Sequence, residues 1–327
     1  MDPIQKELEL IRAKAKDING VELVACVAAM VRFKIKKTTH KSLDACFLFP
    51  DNYPHEPIVI ELKSKVLADR LLYGLSQICE DEAKKLLGQR QILPMVEFIN
   101  KFIAENPLCV CSDEISRIKR DLMTKDDEIK LKQKTSQVIL KLKEGAYYLN
   151  AKLTIPDEYP EVQVGVEIKD QNLPETFRIH IVMQAVEIAR RCVQPPMKKT
   201  PKDAPFKPKP SLGPVCEYLV KEVIHTFPKE ICPCCREPCL PENPTNISNE
   251  PSDSRFIERV YCKHLFHHGC LDTYMKTPPF TGGKKCPACG NRIYHEKWKI
   301  TPELAEARWA HKEARRRELS EVVDFLE

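Results

Sequence analysis

Residues 43–62 read LDACFLFPDNYPHEPIVIEL, and residues 149–168 read LNAKLTIPDEYPEVQVGVEI. Set 106 residues apart without a gap, the two stretches share Leu43/Leu149, Ala45/Ala151, Pro50/Pro156, Asp51/Asp157, Tyr53/Tyr159, Pro54/Pro160 and Glu61/Glu167. Seven identities in twenty positions mark a diverged internal repeat. Each copy reads as an extended run, a proline turn and a second extended run. Pro50 and Pro54 lack amide donors and suit a strand end and a bend. Asp51-Asn52 supplies short side chains for turn hydrogen bonds. Ile58, Ile60 and Leu62 alternate with Val59 and Glu61, the period of a strand covered on one face. Val164, Val166 and Ile168 repeat that period.

Outward from the turns the likeness continues. Residues 66–79 (VLADRLLYGLSQIC) predict a helix with Leu67, Leu71, Leu75 and Ile78 on one stripe, and residues 173–192 predict its counterpart. PMVEFINKFI from Pro94 resembles PVCEYLVKEV from Pro214, now 120 residues apart, so the second copy carries a longer connection. That connection falls at 195–210, PPMKKTPKDAPFKPKP, which reads as a basic flexible loop rather than a phosphate-binding tract. Amphipathic leaders precede both copies, marked by Ile4, Leu8 and Ile11 and by Ile115, Ile118 and Leu122. Helix, antiparallel strands, proline turn and helices, placed twice, predict α+β units in tandem.

F-L-F-P-D-N-Y-P-H-E-P at 47–57 and L-T-I-P-D-E-Y-P at 153–160 resemble the RWD family, whose fold is related to that of ubiquitin-conjugating enzymes. The second copy has Gln163 where Pro57 stands in the first. The resemblance implies RWD-like domains over 1–105 and 107–228. Conjugating enzymes react through a cysteine, and Cys79 and Cys192 lie beyond the two turns. Neither follows the His-Pro-Asn stretch of those enzymes, and both sit in helix-like patterns. The two units are therefore expected to be interaction or scaffolding domains.

Fifteen cysteines require another explanation, and eight of them fall between Cys232 and Cys289. Nothing at the N-terminus resembles a signal peptide, and no apolar run reaches the roughly 20 residues of a membrane span. The expected location is the cytoplasm or nucleus, where disulfides are disfavoured. The charge balance, 52 basic against 47 acidic residues, gives no indication of nucleic-acid binding. Cysteines outside the cluster read as small buried hydrophobes; the Cys109/Cys111 pair carries no assignment.

Within the cluster, C-x2-C at Cys232/Cys235, C-x-H-x2-H-x2-C at Cys262, His264, His267 and Cys270, and C-x2-C at Cys286/Cys289 give eight candidate ligands. Thiolates and imidazoles are the donors of closed, structural zinc sites. Cys234 and Cys239 are spare, and Cys235 with Cys239 is an alternative first pair. Residues 236–261, rich in Pro, Asn and Ser, read as a solvent loop.

The ligand order resembles the RING-H2 family. The resemblance implies a cross-brace domain over 229–300, with Cys232, Cys235, His267 and Cys270 on one structural zinc ion and Cys262, His264, Cys286 and Cys289 on the other. It also implies a shallow groove that docks a ubiquitin-conjugating enzyme carrying ubiquitin. The matching positions are Ile231, Pro233, Cys234, Leu271, Tyr274 and Pro287, with Tyr274 either a surface anchor or core. Gly290 stands where active RINGs often carry Arg or Lys. The implied activity is that of a ubiquitin ligase without a covalent intermediate of its own, with a protein substrate or complex partners held by the RWD-like units. Two such units before a RING resemble the RING ligases of the Fanconi anaemia core complex in domain order. Residues 301–327 predict a closing helix, with Thr301 as cap, Pro302 in the first turn and Glu303 at the positive end.

Overall fold

The computed structural model describes residues 3–196, 206–298 and 301–326, with the side chains of residues 296 and 320–326 left out. The chain builds two α+β units that resemble RWD domains, then a segment with two interleaved Cys/His clusters, then a helix. In the first repeat, helix α1 (Pro3–Lys14) precedes strands β1 (Val21–Cys26), β2 (Met30–Thr38), β3 (Lys41–Leu48) and β4 (Val59–Lys63). Helices α2 (Asp69–Lys84) and α3 (Ile92–Glu105) follow. The four strands form an antiparallel meander in sequence order. Period-2 alternation puts Val31, Phe33 and Ile35 of β2 and Leu43, Ala45 and Phe47 of β3 on the covered face. Phe33 and Phe47 meet edge to face at 6.0 Å.

In α2 the buried residues are Leu72, Leu75, Cys79 and Ala83; of the expected stripe Leu67 and Leu75 are buried, Leu71 is half-buried and Ile78 is exposed. The reason is the helix start. Leu67 is buried ahead of the first turn, and the extended Ala68 sets the helix start at Asp69.

The second repeat follows the same order. Helix α4 (Ser112–Arg117) continues as a wider π turn over Ile118–Leu122. Strands β5 (Glu128–Lys132), β6 (Gln137–Glu144), β7 (Tyr147–Thr154) and β8 (Gly165–Gln171) form its sheet in sequence order. Helix α5 (Glu175–Val193) comes next, then α6 (Leu212–Glu217), which widens to a π turn over Tyr218–Ile224. Of the connection at 195–210, residues 197–205 lie outside the described residues.

A buried polar device closes each repeat. In the first, the Glu7 carboxylate of α1 accepts the Tyr53 hydroxyl and the amides of Gln91 (3.1 Å) and Ile92 (2.8 Å) at the start of α3. In the second, Glu114 accepts the Tyr159 hydroxyl at 2.5 Å and the Gly213 amide at 3.0 Å, while the Leu212 amide donates to Tyr159 at 3.2 Å. Both carboxylates satisfy orphan amides at a helix start and sit where the helix dipole favours negative charge. Ile58 N–H donates to Gln91 Oε1 at 3.0 Å, and its repeat mate Val164 donates to Ser211 Oγ at 3.1 Å. Lys41 amine on Asp157, at 2.7 Å, links the β2–β3 turn of one repeat to the proline turn of the other.

By contacts the chain divides into two compact units. One comprises Met1–Lys141, Asn150–Lys169 and Val182–Val220, the other Leu142–Leu149, Asp170–Ile181 and Lys221–Glu327. Inside the second unit, the β6–β7 turn and the start of α5 anchor the cysteine-rich segment. The Tyr147 hydroxyl donates to Pro241 O at 2.6 Å, and Glu144 holds His225 Nδ1 at 2.6 Å and Lys229 Nζ at 3.0 Å. Phe177 and Phe227 pack edge to face at 5.3 Å. Burial pushes Glu144 up, but the His225 and Lys229 bonds prevail and hold it below its ordinary value. The closing helix α8 runs Pro302–Leu326 and leaves Leu304 and Leu319 exposed. Its Thr301 Oγ1 accepts the Leu304 amide at 3.3 Å.

Candidate metal centre

Strands β9 (Ile257–Arg259) and β10 (Leu265–His267) pair antiparallel and lead directly into helix α7 (His268–Lys276). This short hairpin and helix carry the middle four candidate ligands, and two tight turns carry the outer four. The turns are built alike. In the first, the Arg236 amide donates to Cys232 O at 2.8 Å and the Cys232 amide to Glu237 O at 2.8 Å. In the second, the Gly290 amide donates to Cys286 O at 2.8 Å and the Cys286 amide to Asn291 O at 2.7 Å. The residue after each second cysteine is left-handed: Arg236 has φ 65° and Gly290 has φ 72°. Glycine takes that conformation at little steric cost, which gives Gly290 a structural reason to be there.

Cys232, Cys235, His267 and Cys270 form one group and Cys262, His264, Cys286 and Cys289 the other; within each, the ligand atoms lie within 4.8 Å of one another. The groups interleave along the chain, which two consecutive finger sites would not. In the first, His267 Nδ1 lies 3.4 Å from Cys235 Sγ and 3.9 Å from Cys270 Sγ. Its other nitrogen, Nε2, donates to Pro238 O at 3.1 Å, fixing the tautomer that leaves Nδ1 free to ligate. In the second, His264 Nδ1 lies 3.4 Å from Cys262 Sγ and 3.6 Å from Cys286 Sγ.

Three sulfurs and one imidazole at this spacing fit a tetrahedral ion, and each set is complete without water.

The spare cysteines separate. Cys239 is buried and its thiol donates to Leu265 O at 3.4 Å, so it belongs to the core behind Cys232. Cys234 is exposed between the ligands of the first turn. Cys109 and Cys111 are buried in the first unit, with burial pushing Cys111 up to about 12. Cys79 is fully buried and also pushed up to about 12, a protonated thiol without access. Cys192 is raised by burial as well.

The positions expected to form a groove do not share one environment. Ile231 is 58% exposed, Cys234 and Pro287 are exposed, and Pro233 is half-buried. Leu271 is 0% exposed, which corrects its placement on the surface. It is on the inner face of α7 and cannot touch a partner directly. Tyr274 is half-buried and its hydroxyl donates to Lys285 O at 2.7 Å, tying α7 to the second turn. Burial raises its pKa first, and then the charges of Cys234 and Cys286, which places its ring beside both turns.

A set of residues with no signal in the ligand pattern holds the far side. Glu258, nearly fully buried, receives His268 Nδ1 at 3.0 Å, His295 Nε2 at 3.2 Å and the Lys297 amine. Trp298 packs on both histidine rings and donates Nε1 to Asp272 at 3.0 Å. This explains His268: beside ligand His267, it turns to a carboxylate instead of an ion.

Residues 3–103 match the RWD domain family. The match covers the first repeat with its Glu7–Tyr53–Gln91 device. No curated protein matches the chain. Among the described residues no helix is long and apolar enough to cross a membrane.

Proposed function

We propose that the chain is a RING-type ubiquitin ligase or ligase subunit that docks a conjugating enzyme carrying ubiquitin and promotes transfer to a substrate lysine. The observation that carries this reading is the pair of interleaved, closed Cys/His clusters. Two zinc ions bound there would act structurally, tying the two turns and α7 into one surface. Ile231, Pro233, Cys234, Tyr274 and Pro287 would supply the docking contacts, with Leu271 beneath them. The chain's part is positioning: the thioester stays on the conjugating enzyme, and holding that enzyme near the lysine turns an encounter into a local event. The burial of Cys79 supports a transfer without a covalent intermediate on this chain.

The domain limits we assign are 1–105, 107–228, 229–300 and 301–327. The RWD-like units would hold substrate or complex partners, an arrangement similar in order to the RING ligases of the Fanconi anaemia core complex. Cytoplasm or nucleus suits fifteen cysteines without a disulfide.

Gly290 favours a second reading, a zinc-containing scaffold that holds a complex together without stimulating transfer. Without a side chain, Gly290 leaves no cation directly after the last ligand. The deciding experiment incubates zinc-loaded protein with a panel of charged conjugating enzymes and follows lysine-dependent discharge. Discharge that is lost in a Pro287→Ala variant retaining two zinc ions supports the ligase. Failure of the intact protein to bind or discharge any member supports the scaffold.

A further inference from the structure

Between the second turn and the start of α8 lies a cavity of about 370 Å³. Its walls are mixed, with Met275, Phe280, Ile293 and Trp298 on the apolar side, and among the described residues its lining includes Lys284 and Arg292 but no carboxylate. Lys284 is 7% exposed, and among the described residues its amine has no hydrogen-bond partner. What it meets are ring faces, Tyr274 at 4.5 Å and Phe280 at 5.3 Å. Ring quadrupoles stabilise a cation but accept none of its three hydrogen bonds in the ordinary sense, and an unsatisfied buried donor is costly.

Arg292 is held next to it by backbone pairing. Ile293 N–H donates to Lys284 O at 2.8 Å, and Lys285 bridges Arg292 across the same pair of segments. The guanidinium lies 5.3 Å over Tyr294 and directly against Gly283, where a Cβ would stand 2.8 Å from its Nε. Gly283 is left-handed, φ 77°, so both its conformation and its missing side chain leave room for that plane. A sequestered amine and a planar donor fork thus flank one pocket, with no anion between them among the described residues.

We propose that this cavity binds an oxyanion, a phosphoryl group carried on an aromatic or apolar body. The phosphoryl oxygens supply the acceptors Lys284 lacks and meet the Arg292 fork, while Phe280 and Trp298 cover the body. The ligand chemistry has two sources, free phosphate or an aryl phosphate such as a phosphorylated tyrosine side chain. The site stands independently of ligase activity, since neither cation belongs to a metal cluster.

The test titrates full-length, zinc-loaded protein with inorganic phosphate and with phenyl phosphate, following binding calorimetrically. Phenyl phosphate is expected to bind saturably, and about tenfold more weakly to Arg292→Gln and to Lys284→Met, each checked to retain two zinc ions. Arg292 is exposed, so its variant reads the site even if Lys284→Met fails to fold. Inorganic phosphate binding as tightly as phenyl phosphate identifies the free ion as the occupant; weaker binding identifies the aryl phosphate. Absence of saturable binding by both probes, or binding unchanged in Arg292→Gln, overturns the proposal.

Discussion

The two repeats share a buried device yet fasten their proline turns differently. Glu7, Tyr53 and the α3 amides have their counterparts in Glu114, Tyr159 and the α6 amides. Gln91 does more than accept from Ile58: its amide group also donates to Pro54 O at 3.2 Å and Glu56 O at 3.1 Å, so one side chain pins both ends of the turn. Ser211 is too short for that and accepts only from Val164 among those bonds. At position 163, mate of Pro57, Gln163 leaves its side-chain oxygen buried without a partner among the described residues. What was preserved is the satisfaction of helix-start amides by a carboxylate; what drifted is the stapling of the turn. That drift coincides with where the family match ends, at residue 103.

The largest expected effect tests whether the repeats stand apart from the metal segment. Chelating the ions should unfold the cysteine-rich segment, since a structural zinc contributes on the order of 10 kcal/mol of apparent folding free energy. The unfolding transition of the first repeat should stay where it is in a calorimetric scan. A single transition that collapses as a whole on chelation would show the repeats to be dependent on it.

Next in size, Glu7→Ala strips a buried acceptor from two amides and a hydroxyl. It should cost about 3 kcal/mol by denaturant titration. Gln91→Ala should cost roughly 2 kcal/mol against roughly 1 for Ser211→Ala, in proportion to the bonds each makes. Equal losses would remove the distinction drawn between the two staples.

The smallest effect is a pH dependence. Burial raises the pKa of Glu114 above its ordinary 4.5, against the lowering effect of its bonds to Tyr159 and Gly213. For a folded-state pKa that is raised, the associated stability is present below 4.5 and lost as pH rises through the raised value. Wild type should therefore lose stability relative to Glu114→Gln as pH climbs from 4.5, in paired thermal melts. Parallel curves would mean that Glu114 ionises normally.

Much of this was legible in the chain itself. Period-2 alternation at Ile58 and Ile60, and the shared spacing of Tyr53 and Tyr159, announce duplicated α+β units because strand period and turn chemistry are local. The eight ligands stand out because a metal demands donors at short spacings. Less legible were helix register and burial around those donors. Ile78 and Leu271 exchange their expected environments, because which side of a helix is covered depends on where the helix starts and on what packs against it.

The residue order alone thus settled the repeat, the tandem α+β class and the eight candidate ligands, each a matter of spacing along the chain. Only the tertiary structure decided that Glu7 and Glu114 close the repeats, that Glu258 claims His268, and that Lys284 stands beside Arg292 without an acceptor among the described residues. Those outcomes depend on which groups are shut away from water together. A carboxylate or an amine gains its meaning from the partners it finds once buried, and these come from distant parts of the chain.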